Sequence, residues 1–516
     1  MRGVDMKGFR VCALSLLACA LALAQTSTTG KVIGTISDPS GAVIVNANIT
    51  LVDTRTNVTV ATISNEAGQY TFASVLPGLY RLSASMAGFR QAVVQNINVE
   101  VAKSFVIDLK LEVGATAETV EVVASGVAEL QTQDSTVGAV IKGDPLLRMP
   151  AINRSASALL TLQPMVTPSR GVTDPNLAGQ VAGMRSDQNT FSLDGADATD
   201  LTSGTGGYFL AAIDWSGPTP LIPVPLESVE EFRVSTTNPN ATFGRSAGGQ
   251  VSMVTKRGTN LLHGSAYWYH QNDNLNANTW TFNRLGIRRP EVKDNRFGTS
   301  LGGPLVKDKL FVFGHYEGRR FPRAVNAVRT VPSAELKQGI LRFADANGAV
   351  NSYNVRNFDP RNRGLSPVIS SLWNRMPLGN DPTIGDGLNT LGFRGPVDNS
   401  VRMDFGVARM DYHFTGNWRL NSTYRYSTQS VNDIGQVDIA GLTGGASGQI
   451  RPGGQTPVEP RFFSTQLSGM IRPTLINELN VGFSRNFWAY RRINPFPQVP
   501  GTSAALMVGQ GRTTRK

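Results

Sequence analysis

The chain has 516 residues with a net charge of +11, only 17% charged residues and 53 glycines. That length asks for several domains at about 150 residues each, and the Gly-rich, weakly charged composition suits β structure with a half-polar interior. The basic residues are spread thinly, with no Lys/Arg cluster interleaved with aromatics, which argues against a nucleic-acid surface and leaves an anionic envelope component, such as lipid or lipopolysaccharide, as the neighbour a basic chain attracts.

Residues 1–24 read as a secretion leader. Arg2, Lys7 and Arg10 stand against one Asp5, an apolar run extends from Val11 to Leu23, and Ala22-Leu23-Ala24 offers the small-x-small site that a signal peptidase cuts. Lipidation at Cys19 is the competing reading, but it shortens the apolar run and leaves the downstream site unused. Losing three basic residues and one acidic residue takes the net charge from +11 to +9. Both cysteines, Cys12 and Cys19, lie in this leader, so the exported chain has no thiol for a disulfide or a metal site. No other segment is long and apolar enough for a membrane-crossing helix, so a membrane location requires a closed barrel.

Residues 25–112 predict a seven-strand β-sandwich. Alternating runs fall near 31–37, 47–53, 58–63, 69–73, 79–86, 92–99 and 103–111, with turns at Asp38-Pro39-Ser40-Gly41, Glu66-Ala67-Gly68, Leu76-Pro77-Gly78 and Ala87-Gly88. The stretches "GTISDPSGAVIVNANITLVDT" and "TISNEAGQYTFASVLPGLYRLSASMAGFR" resemble the carboxypeptidase regulatory-like domain, also described as a starch-binding-like fold. Zinc peptidase chemistry is excluded. The four histidines, His263, His270, His315 and His413, form no His-x-x-Glu or His-Glu-x-x-His pair, and none lies in this domain.

Residues 113–125 form a linker, "VGATAETVEVVAS". Within it Glu118, Thr119, Val120, Glu121, Val122 and Val123 resemble a TonB box, the extended segment that a periplasmic energy transducer captures by strand addition. The same residues also read as a linker strand or as an overrun of the sandwich's last strand, and both readings stand.

Residues 126–260 predict a mixed α/β unit, opening with a helix started near Asn153 and stopped by Pro164. "NTFSLDGADATD" at 189–200 resembles the Asp-Gly hairpin of a TonB-dependent receptor plug, and "PLESVEEFRVSTTNPNATFGRSAGGQVSMVTKRGTN" at 225–260 resembles the plug's terminal segment. With the preceding sandwich, the pair resembles the Oar-like branch of that family. Gly244-Arg245-Ser246-Ala247-Gly248 fits the G-x-S-x-G pattern, but a nucleophile elbow needs a strand-to-helix turn, whereas Gly249 and the alternating "QVSMVT" follow here. Asp194, Asp197 and Asp200 lack the alternate spacing of a calcium loop. No Walker A or dinucleotide fingerprint occurs, so neither enzyme chemistry nor a cofactor is expected.

Residues 261–516 predict part of an outer-membrane antiparallel β-barrel in an all-β-dominated fold. Runs with one apolar face lie near 261–270, 296–303, 310–317, 403–414, 418–427, 461–471 and 475–485. In "WRLNSTYRYS" the residues Trp418, Leu420, Tyr424 and Tyr426 oppose Arg419, Asn421, Thr423 and Arg425. Leu420→Arg is therefore expected to be costly in lipid and Thr423→Arg cheap. Connections alternate long (271–295, 318–402, 428–460) and short (304–309, 415–417, 472–474), as in barrels with extracellular loops and periplasmic turns. Plugged transporters have about 22 strands, so these few lead to the expectation of an N-terminal fragment whose barrel does not close.

The family resemblance implies ligand capture outside the cell, uptake of a carbohydrate or peptide through the outer membrane, and a periplasmic TonB-type transducer as partner. The other class of function that the sequence allows is a secreted or surface β-sandwich adhesin that binds glycans.

Overall fold

The computed structural model describes residues 28–114, 119–123, 135–148, 154–168, 179–184, 188–199, 220–239, 244, 246–278, 280–284, 289, 291–361, 363–442, 444–472 and 475–493. The proposed leader, Glu118 and the last residues lie outside them.

The first unit has strands β1 (Gly30–Ser37), β2 (Asn48–Asp53), β3 (Thr59–Ile63), β4 (Gln69–Val75), β5 (Gly78–Ser85), β6 (Gln91–Val99), β7 (Ser104–Val106), β8 (Leu109–Lys110) and β9 (Thr119–Val123). They form two sheets. One runs β4-β1-β7, with β8 also on β1, and the other runs β3-β2-β5-β6-β9. Their inward residues, including Val32, Ile36, Ile49, Leu51, Phe72 and Leu82, make one apolar core, and each such buried side chain stabilises by roughly 1.5–3 kcal/mol. The run expected over 103–111 breaks between β7 and β8. Tyr70 donates its hydroxyl proton to the Ile107 carbonyl at 2.6 Å, and Asp108 accepts the Thr35 N–H at 2.8 Å. Gly34 makes room for this break, since a Cβ there would lie 1.9 Å from the Ile107 carbonyl oxygen.

The second unit contains β10 (Val137–Lys142), helix α1 (Asp144–Arg148), a 3-10 helix (Ala156–Leu162), β11 (Val166–Pro168), β12 (Gly179–Val181), β13 (Thr190–Leu193), β14 (Ala196–Asp197), β15 (Val229–Thr237) and β16 (Gln250–Thr255). The helix expected from about 153 is thus a short 3-10 helix. Ser155 gives it no side-chain cap, and its hydroxyl lies 2.8 Å from that of Ser157 instead. The central sheet runs β10-β15-β16-β13-β14, with β13 parallel to β16. Every residue of β13 and β16 is buried. We call it the inner sheet.

The third unit is a wall of long antiparallel strands. In chain order it has β17 (His263–Asn272), α2 (Trp280–Arg284), β18 (Lys293–Val306), β19 (Leu310–Phe321), β20 (Ala324–Pro332), α3 (Ala334–Lys337), β21 (Ile340–Ala344), β22 (Val350–Asn354), α4 (Pro367–Arg375) and β23 (Thr390–Asp398). There follow β24 (Val401–Thr415), β25 (Trp418–Asp438), β26 (Arg451–Val458), β27 (Arg461–Arg472), β28 (Leu475–Arg485) and β29 (Arg491–Arg492). Hydrogen bonding links β17, β18, β19, β24, β25, β27 and β28 in that order, with β26 on the outer part of β25. Two of the three long connections, 318–402 and 428–460, contain further strands. Ala327 and Val331 of β20, Val397 of β23, and Ile439 and Ile450 beside the β25–β26 hairpin share a small apolar core. Pairing continues past the expected strand ends because the same alternation buries a second core there.

On β25 the outward side chains are Leu420, Ser422, Tyr424 and Tyr426, while Asn421, Thr423, Arg425, Ser427 and Gln429 are buried inward. Leu420→Arg is expected to cost about 2–4 kcal/mol in urea unfolding from lipid vesicles, and a cost near zero would place Leu420 outside the lipid band. The expected contrast with Thr423 does not survive. Thr423 is only 2% exposed, so an arginine there is an overpacked core residue.

Candidate functional site

The inner sheet meets the wall through a buried ionic cluster. Asp194 and Gly195 connect β13 to β14 in a two-residue turn, with φ of 45° and 81°, a conformation that Asp-Gly favours. The turn aims Asp194 at the end of β16. There the Thr255 N–H donates to one carboxylate oxygen at 2.8 Å, and the Thr255 hydroxyl donates to the other. Two wall arginines close the cluster. Arg409 on β24 places Nη1 3.3 Å from Asp194 and 2.7 Å from the Thr255 carbonyl oxygen. Arg425 on β25 donates to the Thr255 hydroxyl and lies 3.8 Å from Asp194. Asp411 holds Arg409 side-on, at 2.9 Å from Nε and 2.8 Å from Nη2. Arg425 and Thr255 are 0% exposed and Asp411 1%. Water competes little for these charges, so each depends on its partners.

Apolar contacts accompany the ionic ones. Phe313, Phe405, Val407 and Phe462 point inward from the wall and share one core with Phe191, Phe232, Val251 and Met253 of the inner sheet. A barrel lumen is ordinarily polar. Here the sheet inside it covers the phenylalanines. Around the wall, Tyr267 donates to Glu317 at 2.8 Å, and Arg319 grips Asp294 at 2.6 and 3.0 Å. Arg154 of the second unit pairs with Glu227 at 3.0 Å and stacks over the Tyr269 ring at 3.8 Å.

A second contact clamps the sandwich to the inner sheet. Arg257, just past β16, donates to Asp53 at 2.8 Å and to the Pro77 carbonyl at 2.7 Å. Glu231 on β15 accepts the Val101 N–H at 2.8 Å, and Arg233 donates to the Val101 carbonyl. Lys142 on β10 pairs with Glu100 at 2.5 Å, and Arg55 with Glu230 at 2.6 Å. Asn260 bridges the Thr56 carbonyl at 2.8 Å and Asp308 of the short β18–β19 turn at 2.6 Å. The sandwich also touches the wall directly, since Arg419 donates to the Ser74 carbonyl at 2.7 Å and to its hydroxyl at 2.6 Å.

Glu231 makes the clamp pH-sensitive. Burial pushes its carboxyl up to about 7, against the Val101 N–H, which favours the ionised form; Glu100 adds repulsion, while Lys142 and Arg233 oppose the rise. A raised value in the docked state means that protonation favours docking. This contribution is fully present below about pH 4.5 and is lost as pH rises through about 7, by at most ~3 kcal/mol. Hydrogen exchange at Val101, corrected for intrinsic rate, is therefore expected to speed up between pH 5 and 8. Glu231→Gln should flatten the dependence, and an unchanged dependence in that variant would contradict the assignment.

Of the residues read as a capture segment, Thr119–Val123 form β9, the edge strand of the sandwich sheet. It pairs in parallel with β6 from Gln91↔Thr119 to Gln95↔Val123. Ser246 of the G-x-S-x-G pattern donates to the Gln188 carbonyl at 2.6 Å and leads into strand β16, not into a helix. Among the described residues no group of His, Cys, Asp and Glu is placed to hold a metal ion. Asp53, Asp194, Arg257, Arg409 and Arg425 carry the contacts between units. Asp53, Asp194 and Arg257 fall in segments that the sequence marks by resemblance, whereas Arg409 and Arg425 show there only a charge on an alternating strand.

Comparison with known proteins shows the family. Residues 254–515 match the outer membrane beta barrel domain and residues 31–112 the carboxypeptidase regulatory-like domain. The chain belongs to the outer membrane β-barrel domain family, and its location is the outer membrane. It is similar to the TonB-dependent transporter Oar of Myxococcus xanthus, at 26% identity over 412 residues. That match covers 74% of this chain and 36% of the transporter, so the chain spans about a third of that relative's length. Solved structures similar to it include the outer membrane transporter YddB from Escherichia coli, with 13% identity, TM-score 0.42 and coverage of 67% of this chain and 38% of that one. Another is the siderophore receptor PirA from Acinetobacter baumannii, with 17% identity, TM-score 0.31 and coverage of 67% and 47%.

Proposed function

We propose that the chain serves as part of a TonB-dependent receptor that captures a ligand outside the cell and admits it to the periplasm, and that it has no catalytic centre. The observation that carries this reading is the inner sheet fastened inside the wall through Asp194, Thr255, Arg409 and Arg425. A sheet seated in the wall by a buried ionic cluster and a shared apolar core blocks the passage at rest and can be released by a pull. In this reading residues 1–24 export the chain, 25–112 are the sandwich, 113–125 carry the capture segment, 126–260 are the plug and the barrel begins at 261. The partner is a periplasmic TonB-type transducer that binds Glu118, Thr119, Val120, Glu121, Val122 and Val123. Lipid and lipopolysaccharide surround the wall, and the ligand comes from outside the cell.

Val120→Pro tests the capture segment. Proline removes a backbone donor and blocks strand addition, so the variant is expected to lose pull-down by the transducer's periplasmic domain while the sandwich core keeps its thermal transition. Undiminished pull-down would contradict the segment's role.

A further inference from the structure

The capture segment is already a strand. β9 adds to β6 in parallel, and among the described residues no strand pairs with the other edge of β9. An edge strand presents a row of unpaired N–H and C=O groups to an incoming strand. Its Thr-Val-Glu-Val-Val sequence is rich in the β-branched residues that favour this state. β6 in turn runs directly into Glu100 and Val101, the residues that meet Lys142, Glu231 and Arg233 of the inner sheet. A continuous path of hydrogen bonds and ion pairs therefore joins β9 to β10 and β15 through the sandwich. Along the chain, residues 124–136 separate Val123 from β10, a span that can reach roughly 45 Å when extended.

From this path we propose that the transducer adds its strand to the outer edge of β9 while β9 stays paired with β6, so that the sandwich is the handle through which the pull reaches the inner sheet. The proposal rests on the reading of 118–123 as the capture segment. It adds that capture needs no release of that segment, and that the load reaches the inner sheet through the Val101 clamp.

A disulfide lock separates the possibilities. Gln95 and Val123 are register partners, at a separation that a disulfide spans between paired strands, and the only natural cysteines are Cys12 and Cys19 in the leader. The Gln95→Cys/Val123→Cys protein, in outer membranes, is offered the transducer's periplasmic domain with and without reductant. Oxidised and reduced forms are expected to be captured within about twofold of each other, and an energised transducer should speed hydrogen exchange along β15 in both. A loss of about tenfold on oxidation, equivalent to about 1.4 kcal/mol, that reductant restores would show that β9 must leave the sandwich and would overturn the proposal. Failure of the cysteines to join would overturn it by removing the β9–β6 pairing. Failure of the reduced and unsubstituted proteins to be captured at all would instead remove the capture segment itself, and the proposal with it.

Discussion

Asp194→Asn is expected to destabilise the seat of the inner sheet by about 3–5 kcal/mol, the usual cost of removing one partner from a buried ion pair. Asparagine keeps the shape and the turn but not the charge. Arg409 retains Asp411, whereas Arg425, at 0% exposure, loses the only carboxylate within 4 Å among the described residues. Arg425→Met in the same background should recover most of the loss, because replacing both members of a buried pair is often near neutral. Urea unfolding of the detergent-solubilised chain measures this, and a midpoint that Asp194→Asn leaves unmoved would show that the cluster does not hold the sheet.

Arg257→Met should detach the sandwich from the inner sheet at a similar cost, again about 3–5 kcal/mol. Asp53 is 3% exposed and Arg257 6%, so methionine leaves a carboxylate buried with the Arg55 N–H at 2.9 Å as its remaining donor. The sandwich has its own core and should stay folded. Exchange at Val101 is thus expected to accelerate while amides facing Leu51 and Leu82 stay protected. Adding Asp53→Leu should restore protection at Val101. Uniform loss of protection through the sandwich would mean that Arg257 supports the fold of the sandwich and not its docking.

Most strands were legible because a period of two needs no knowledge of partners. Leu420, Tyr424 and Tyr426 against Asn421, Thr423 and Arg425 show their faces in the sequence alone. What faces them is not legible. Arg425 reads as a lumen residue facing water, but its partners Thr255 and Asp194 lie in another unit, and only the topology brings them together. Phe313, Phe405 and Phe462 are inward for the same reason, against the polar lumen that the alternation suggests. The sandwich run over 103–111 looked continuous because the groups that interrupt it, Tyr70 and Thr35, belong to other strands. The capture segment had two readings from its composition, and the backbone makes it a strand without removing either.

In the proposed function the inner sheet is a plug moved through the segment at 118–123. Ser252 on β16 is 5% exposed and carries no charge, so Ser252→Cys should report its burial without disturbing the ionic cluster. In outer membranes, an impermeant maleimide supplied from the periplasmic side should label this cysteine slowly at rest. An energised transducer should raise the rate by about tenfold or more, as expected when a buried segment is opened, and Val120→Pro should abolish the increase. Labelling that is equally slow with and without the transducer, in a protein shown to bind it, would contradict the account.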